Sequence, residues 1–272
     1  MLLAGLVLPA GGASAAAVQA GTRAWPGGIV RVWVEPAVRA DAAKFGKLTR
    51  AMAAWRTATG LRIELTSIAR PPTLYVFNRT GSHKCDATLG YFPRLARGRD
   101  LLNGGAMTLG DCSYGSTLHE FGHVLGLMHE HQRADRLGYI NFSPIADILR
   151  SCGTRPGGCG EAQQNVGAPL RMQLASPYDP CSLMHYLPDQ SSKARAGRVP
   201  PGRGWSQFYA LTDAGQRQFA ACKAVLVHTD SCAWWKTGQK CQITCQDANT
   251  AAVFNGLLPR KRCWGRGPSR RP

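Results

Sequence analysis

The sequence predicts an α+β fold, with helices packed on a twisted mixed sheet and a small basic, Cys-rich appendage at the C-terminal end. Three observations predict it. A helix-patterned stretch beginning at Asp41 stands between strand-patterned stretches around 25–34 and 61–78, as expected for helices laid on a sheet. A second helical stretch, from Thr117, carries histidines and a glutamate at regular spacing. Residues 223–272 combine cysteines and positive charge with no clear periodicity. The 272 residues suffice to bury a core, and 18% charged against 44% hydrophobic residues is a globular balance.

Taken in order, residues 1–20 form a leader nearly free of polar side chains. Leu2, Leu3, Leu6, Val7 and Leu8 precede Ala-Ser-Ala at 13–15, the pattern of a secretory signal, although no Lys or Arg stands before it. A disordered Ala/Gly leader is the alternative. The run is too short to read as a transmembrane helix, and no other candidate span follows. The folded domain is expected over 22–222. Trp25-Pro-Gly-Gly-Ile-Val-Arg-Val-Trp-Val34 reads as a turn feeding a strand. From Asp41, an N-cap candidate, Phe45, Leu48, Met52 and Trp55 recur at helical spacing until Gly60 stops the pattern. Leu61, Ile63 and Leu65 alternate with polar residues, and Thr73-Leu-Tyr-Val-Phe-Asn78 follows a double proline, so both read as strands. Ala106-Met-Thr-Leu109 reads as a short strand, either an edge strand able to pair with an extended peptide or a plain connection. Gly104 and Gly105 before it allow another backbone to come close. Tyr209 to Cys222 reads as a final helix.

The stretch Thr117-Leu-His-Glu-Phe-Gly-His-Val-Leu-Gly-Leu-Met-His-Glu130 has the spacing of a metal site. At about 3.6 residues per turn, His119 and His123 project from one helix face and can share an ion, while Glu120 is turned aside and can reach a water on it. On a continuous helix His129 would lie roughly 15 Å beyond His119 and out of line. Gly126 can take the positive φ that ends a helix, so the helix must break there for the third histidine to bind. With this extension the pattern matches the long His-Glu-x-x-His-x-x-Gly-x-x-His zinc motif of the metzincins.

Ten cysteines suit disulfides formed outside the cytosol. Cys152-Gly-Thr-Arg-Pro-Gly-Gly-Cys159 reads as a loop closed by its own disulfide, with metal binding as the lesser alternative since no histidine flanks it. Of the net charge of +17, most lies in 190–272, where 14 Lys and Arg face 3 acidic residues. A basic end favours anionic partners such as extracellular polymers, lipid surfaces or acidic peptides. No nucleic-acid module is recognisable there, which argues against nucleic acid.

His119-Glu120-Phe-Gly-His123-Val-Leu-Gly126-Leu-Met-His129-Glu130-His-Gln-Arg133 resembles the zinc signature of the astacin family of metalloendopeptidases. Ser182-Leu-Met184-His185-Tyr186 is similar to that family's Met-turn. The resemblance extends weakly from Trp25 to Cys222. It implies a metzincin-like zinc protease domain in which His119, His123 and His129 hold one catalytic Zn²⁺ and Glu120 acts on the metal's water. It also implies that Met184 forms an apolar floor and that Tyr186 is a switchable ligand that turns to the oxyanion. A Met in a core and a Tyr on a turn are equally ordinary structural residues. In the family, the residue matching Glu130 meets an amino terminus released from a propeptide, but no Phe-x-Gly-Asp stretch stands here to supply an inhibitory aspartate. A surface carboxylate is the plainer reading of Glu130. Cys85 with Cys112 matches a family bridge. The family's usual partner for Cys222 is missing, since position 60 is Gly, and Cys181 is the suggested replacement. Lys193, Arg195, Arg198 and Arg203 follow the Met-turn, either as a subsite for acidic side chains or as a solvated loop. His131 and His185 border the site as supporting contacts or surface positions.

The resulting expectation is a secreted, extracellular zinc endopeptidase acting on protein or peptide substrates. The alternative is an extracellular binding protein whose basic tail recognises an anionic surface, with the zinc domain as scaffold.

Overall fold

The structure is a computed structural model and describes residues 17–97, 100–142, 169–175, 177–186, 209–225, 241–259 and 263. Its first strand, β1 (Ala17–Gln19), pairs antiparallel with Met172–Ala175. Ala17 and Val18 are fully buried, so small apolar residues that the sequence reading places in the leader pack here as a strand.

Strand β2 (Ile29–Val34) sends Val30, Val32 and Val34 into the core while Ile29, Arg31 and Trp33 take the opposite face, the two-residue period of a strand with one face against helices. A short helix, α1 (Pro36–Ala40), leads to α2 (Ala42–Thr59). Asp41 caps α2 by accepting the Lys44 N–H at 2.9 Å, and Gly60 ends it at φ +78°. Leu48, Met52 and Trp55 form its buried stripe. Strands β3 (Arg62–Thr66), β4 (Thr73–Asn78), β5 (Cys85–Ala87), β6 (Phe92–Arg97) and β7 (Asp100–Leu109) complete a six-stranded mixed sheet in the order β3-β2-β4-β7-β5, with β6 also paired to β7. The run β3, β2, β4 and β7 is parallel, and β5 and β6 join antiparallel.

Strand β7 corrects the edge-strand reading of 106–109. Tyr75 faces Ala106 on one side and Ala87 faces Met107 on the other, so β7 lies inside the sheet. Its approach to β4 needs the glycine: a Cβ on Gly104 would fall 1.7 Å from the Thr73 carbonyl oxygen.

Helix α3 (Tyr114–Val124) packs on α2, where the Trp55 indole donates to the Leu118 carbonyl at 2.9 Å. Beyond it, β8 (Ile140–Phe142), β9 (Met172–Ala175) and β10 (Tyr209–Leu211) lead to α4 (Asp213–Val225). The sequence reading starts this last helix at Tyr209. Tyr209–Leu211 instead pairs with β8, and the helix begins after Thr212, whose hydroxyl accepts the Gly215 N–H at 3.2 Å.

The segment expected as a separate appendage contributes helix α5 (Cys245–Phe254) to the core itself. Residues from Gln246 to Ala252 are all buried on it, and Ala251 belongs to the central apolar cluster. A helix covered on every side has no polar face, so its sequence shows no amphipathic period. Disulfides join Cys85 to Cys112, Cys181 to Cys222 and Cys245 to Cys263, and Cys241 is also disulfide-bonded. Cys152, Cys159 and the basic positions Lys193, Arg195, Arg198 and Arg203 lie outside the described residues.

Candidate metal centre and active site

Ser113 starts α3 by accepting the Ser116 N–H at 3.1 Å, which sets the helix phase so that His119 and His123 share a face. The helix ends within one turn of His123. Gly126 takes φ +98° and returns its N–H to the His123 carbonyl at 2.8 Å, and the Leu127 N–H reaches the Gly122 carbonyl at 3.1 Å. The chain then doubles back and brings in His129. Its Nε2 stands 3.2 Å from Nε2 of His119 and 3.0 Å from Nε2 of His123.

On the other side of each ring, Nδ1 faces an oxygen. For His119 it is the Leu183 carbonyl at 2.8 Å, for His123 the Leu127 carbonyl at 2.7 Å and for His129 the Gln132 amide oxygen at 3.1 Å. An Nδ1–H donated to each oxygen leaves three Nε2 lone pairs pointing at one another, an arrangement that a cation between them relieves. Burial, then the neighbouring His123 and His119, hold the His129 pKa well below the ordinary histidine range, so its ring is neutral. Tetrahedral zinc at about 2.0–2.1 Å from each nitrogen would set them about 3.3 Å apart, close to the spacings found. The donor set fits zinc, with three nitrogens that could bind it.

Glu120, half-buried, sits beside His119 on α3. Below the histidines the turn Asp179–Tyr186 folds on itself: Ser182 donates its N–H to the Asp179 carbonyl at 3.0 Å, and His185 donates to the Ser182 carbonyl at 3.1 Å. Met184 is fully buried under α3. A Cβ on Gly122 would come 2.5 Å from its sulfur, so Gly122 is what lets the methionine seat there. The Tyr186 ring lies 4.4 Å from that of His129 and 4.5 Å from that of His131, beside the centre. The Glu130 N–H donates to the Met184 carbonyl at 3.1 Å, which joins the two motifs.

Glu130 is not the surface carboxylate of the plainer reading. It is fully buried, and its Oε1 accepts from the Arg133 guanidinium at 2.8 Å and the Asp179 N–H at 2.7 Å. Burial pushes its carboxyl up to about 7 against the opposing pull of Arg133. Burial also works against the Arg133 charge, but Glu130 and Asp135 outweigh it and raise its pKa. His131 and His185 are buried as well. His185 bonds the Tyr178 hydroxyl at 2.6 Å and the Tyr209 hydroxyl at 3.1 Å, so it ties the turn to β10. Sequence reasoning missed Gly122, Gln132 and, from α5, Asp247, which accepts from the Ser182 hydroxyl at 2.6 Å. Gly122 and Gln132 lie within the zinc motif and its flank. Locally Asp247 shows only the Thr-x-x-Asp spacing of a helix cap, which does not point to the centre.

Comparison with known proteins agrees with this geometry. The model of the family described as Astacin, a peptidase family, matches residues 17–202. Nematocyst expressed protein 6 of Nematostella vectensis is 32% identical over 146 residues, which are 53% of this chain and 45% of that protein. The chain therefore matches less than half the length of that relative. High choriolytic enzyme 1, a hatching enzyme zinc-protease from Oryzias latipes (medaka), superposes with a TM-score of 0.55 at 19% identity, over 87% of this chain and 94% of that one. At that identity the likeness speaks for the fold.

Proposed function

Because the chain belongs to the astacin family of peptidases, we propose that it is a zinc-dependent endopeptidase with His119, His123 and His129 as ligands of one catalytic ion. The observation that carries this reading is the meeting of three imidazole Nε2 atoms within ligand distance, each ring oriented from behind by an oxygen.

Bound there, zinc supplies an acidified water, with a pKa lowered towards about 7, and a Lewis acid for a peptide carbonyl. The family motifs, with the positions of these residues, support the following roles. The three rings keep Nδ1–H donated to an oxygen and present Nε2, so they act only as ligands. Glu120 accepts the proton of the attacking water and returns it to the departing amine nitrogen, so one carboxylate serves both halves of the reaction. Tyr186, beside His129, donates its hydroxyl hydrogen to the oxygen that gains charge as the carbonyl becomes tetrahedral. Met184 keeps water from beneath the centre.

A secretory leader is proposed ahead of the domain, and the basic stretch 223–272 includes helix α5, which packs into the domain core. Disulfides support an extracellular setting. No helix among the described residues is long and apolar enough to cross a membrane. Substrates are proteins or peptides, and the basic tail favours an anionic surface or polymer.

The test is cleavage of a denatured protein. Cleavage should stop with a zinc chelator and return when zinc is added to one equivalent. Cleavage that continues after the metal has been stripped would overturn the reading.

A further inference from the structure

Helix α5 begins well beyond residue 202, where the family match ends, yet it touches both halves of the metal centre. At its start Thr244 and Asp247 form a capping box. Thr244 Oγ1 accepts the Asp247 N–H at 3.0 Å, and Asp247 Oδ2 accepts the Thr244 N–H at 3.2 Å. A cap alone needs one carboxylate oxygen, and most such acids stay in water. Asp247 is fully buried and uses both oxygens on the Met-turn: Oδ1 accepts the Ser182 hydroxyl at 2.6 Å and Oδ2 the Leu183 N–H at 2.9 Å.

Each of those contacts leads on to the centre. Ser182 Oγ accepts the Met184 N–H at 2.9 Å, and the Leu183 carbonyl accepts from Nδ1 of His119 at 2.8 Å. The residue whose carbonyl orients the first histidine is thus held by its own N–H on Asp247. At the far end of α5, the Asn255 amide donates to the Leu125 carbonyl at 3.0 Å and accepts the Trp25 N–H at 2.9 Å. The Phe254 ring lies over Gly126, where a Cβ would come within 2.3 Å of it. One helix therefore fixes the turn behind His119 and the chain reversal that delivers His129. Burying a carboxylate is costly unless its bonds are made, and here they are made to the turn.

We propose that α5 braces the metal centre and that Asp247 is a positioning residue for the zinc ligand His119, acting through Ser182 and Leu183. The inference rests on reading His119, His123 and His129 as zinc ligands. Loss of such an outer contact typically weakens metal binding about 10- to 100-fold.

Zinc affinity of the full chain is measured by competition with a chromophoric chelator for wild type, Asp247→Ala, Asp247→Asn and Ala252→Gly. Thermal unfolding of the zinc-free proteins is followed alongside. Asp247→Ala should bind zinc about 10- to 100-fold more weakly, and Asp247→Asn, which keeps one acceptor oxygen, should lose less. Ala252→Gly loosens the same helix but removes no bond to Ser182 or Leu183. It should lower the unfolding temperature while weakening zinc binding far less than Asp247→Ala. Should Asp247→Ala not fold, the Asp247→Asn affinity decides alone. Wild-type affinity in the Asp247 variants overturns the proposal, and so does an Ala252→Gly loss as large as theirs. A wild type that takes up no zinc instead overturns the ligand reading on which the brace depends.

Discussion

Glu130 and Arg133 show what one buried pair asks of this fold. Glu130 has a fully buried carboxylate whose Oε2 has no hydrogen-bond partner among the described residues, while Oε1 is shared by Arg133 and the Asp179 N–H. Burial opposes both charges, while each partner favours the other's: Arg133 pulls the Glu130 pKa down, and Glu130, with Asp135, keeps Arg133 protonated. Such pairs add little net stability but are expensive to break, because the survivor stays buried without its partner. Arg133→Ala should therefore lower stability by about 3–5 kcal/mol in denaturant unfolding, far more than removal of an exposed arginine. Asp179 and Asp247 give a second test at this scale. Burial, then the facing Asp247, raise Asp179 well above the ordinary carboxyl range. An acid with a raised folded value contributes stability below its unfolded value of about 3.9 and loses it as pH rises through the folded one. Asp179→Asn should accordingly flatten the fall in stability of the zinc-free protein as pH rises above about 4, read from urea midpoints. A slope equal to that of wild type would place the titration elsewhere.

Among the elements, α3 and its ending matter most. Gly126 combines φ +98° with the Phe254 ring at 2.3 Å from any Cβ, so two independent constraints exclude a side chain. Gly126→Ala should cost at least about 1–2 kcal/mol from the backbone alone, and it should weaken zinc binding because His129 depends on that reversal. Thermal unfolding and zinc titration of the variant check both parts. This ending was legible in the sequence: ten residues separate His119 from His129, and no straight helix brings them together. The α2 stripe and the strands flanking it were legible for the same reason, since one face is buried and the other wet. Helix α5 was not, because all its faces are covered and period vanishes with contrast. Nor was the interior position of β7, whose two flanking partners come from separate parts of the chain. The Asp247 contact with Ser182 joins residues 65 apart, a distance over which no local pattern can speak.

For the whole molecule, the sheet and α2 hold α3 from one side, the Met-turn closes from below, and α5 ties the two together. Three lone pairs directed at one point make the apo centre electrostatically poor, so zinc and fold should stabilise each other. In the chemistry proposed at that point, Glu120 moves the proton while the histidines only hold the metal. The direct measurement is turnover of a denatured protein by wild type and Glu120→Ala, each loaded to the same zinc content. Both proteins should hold equal zinc, and kcat should fall at least about 100-fold in the variant. Equal turnover by the two zinc-loaded proteins would contradict that role for Glu120.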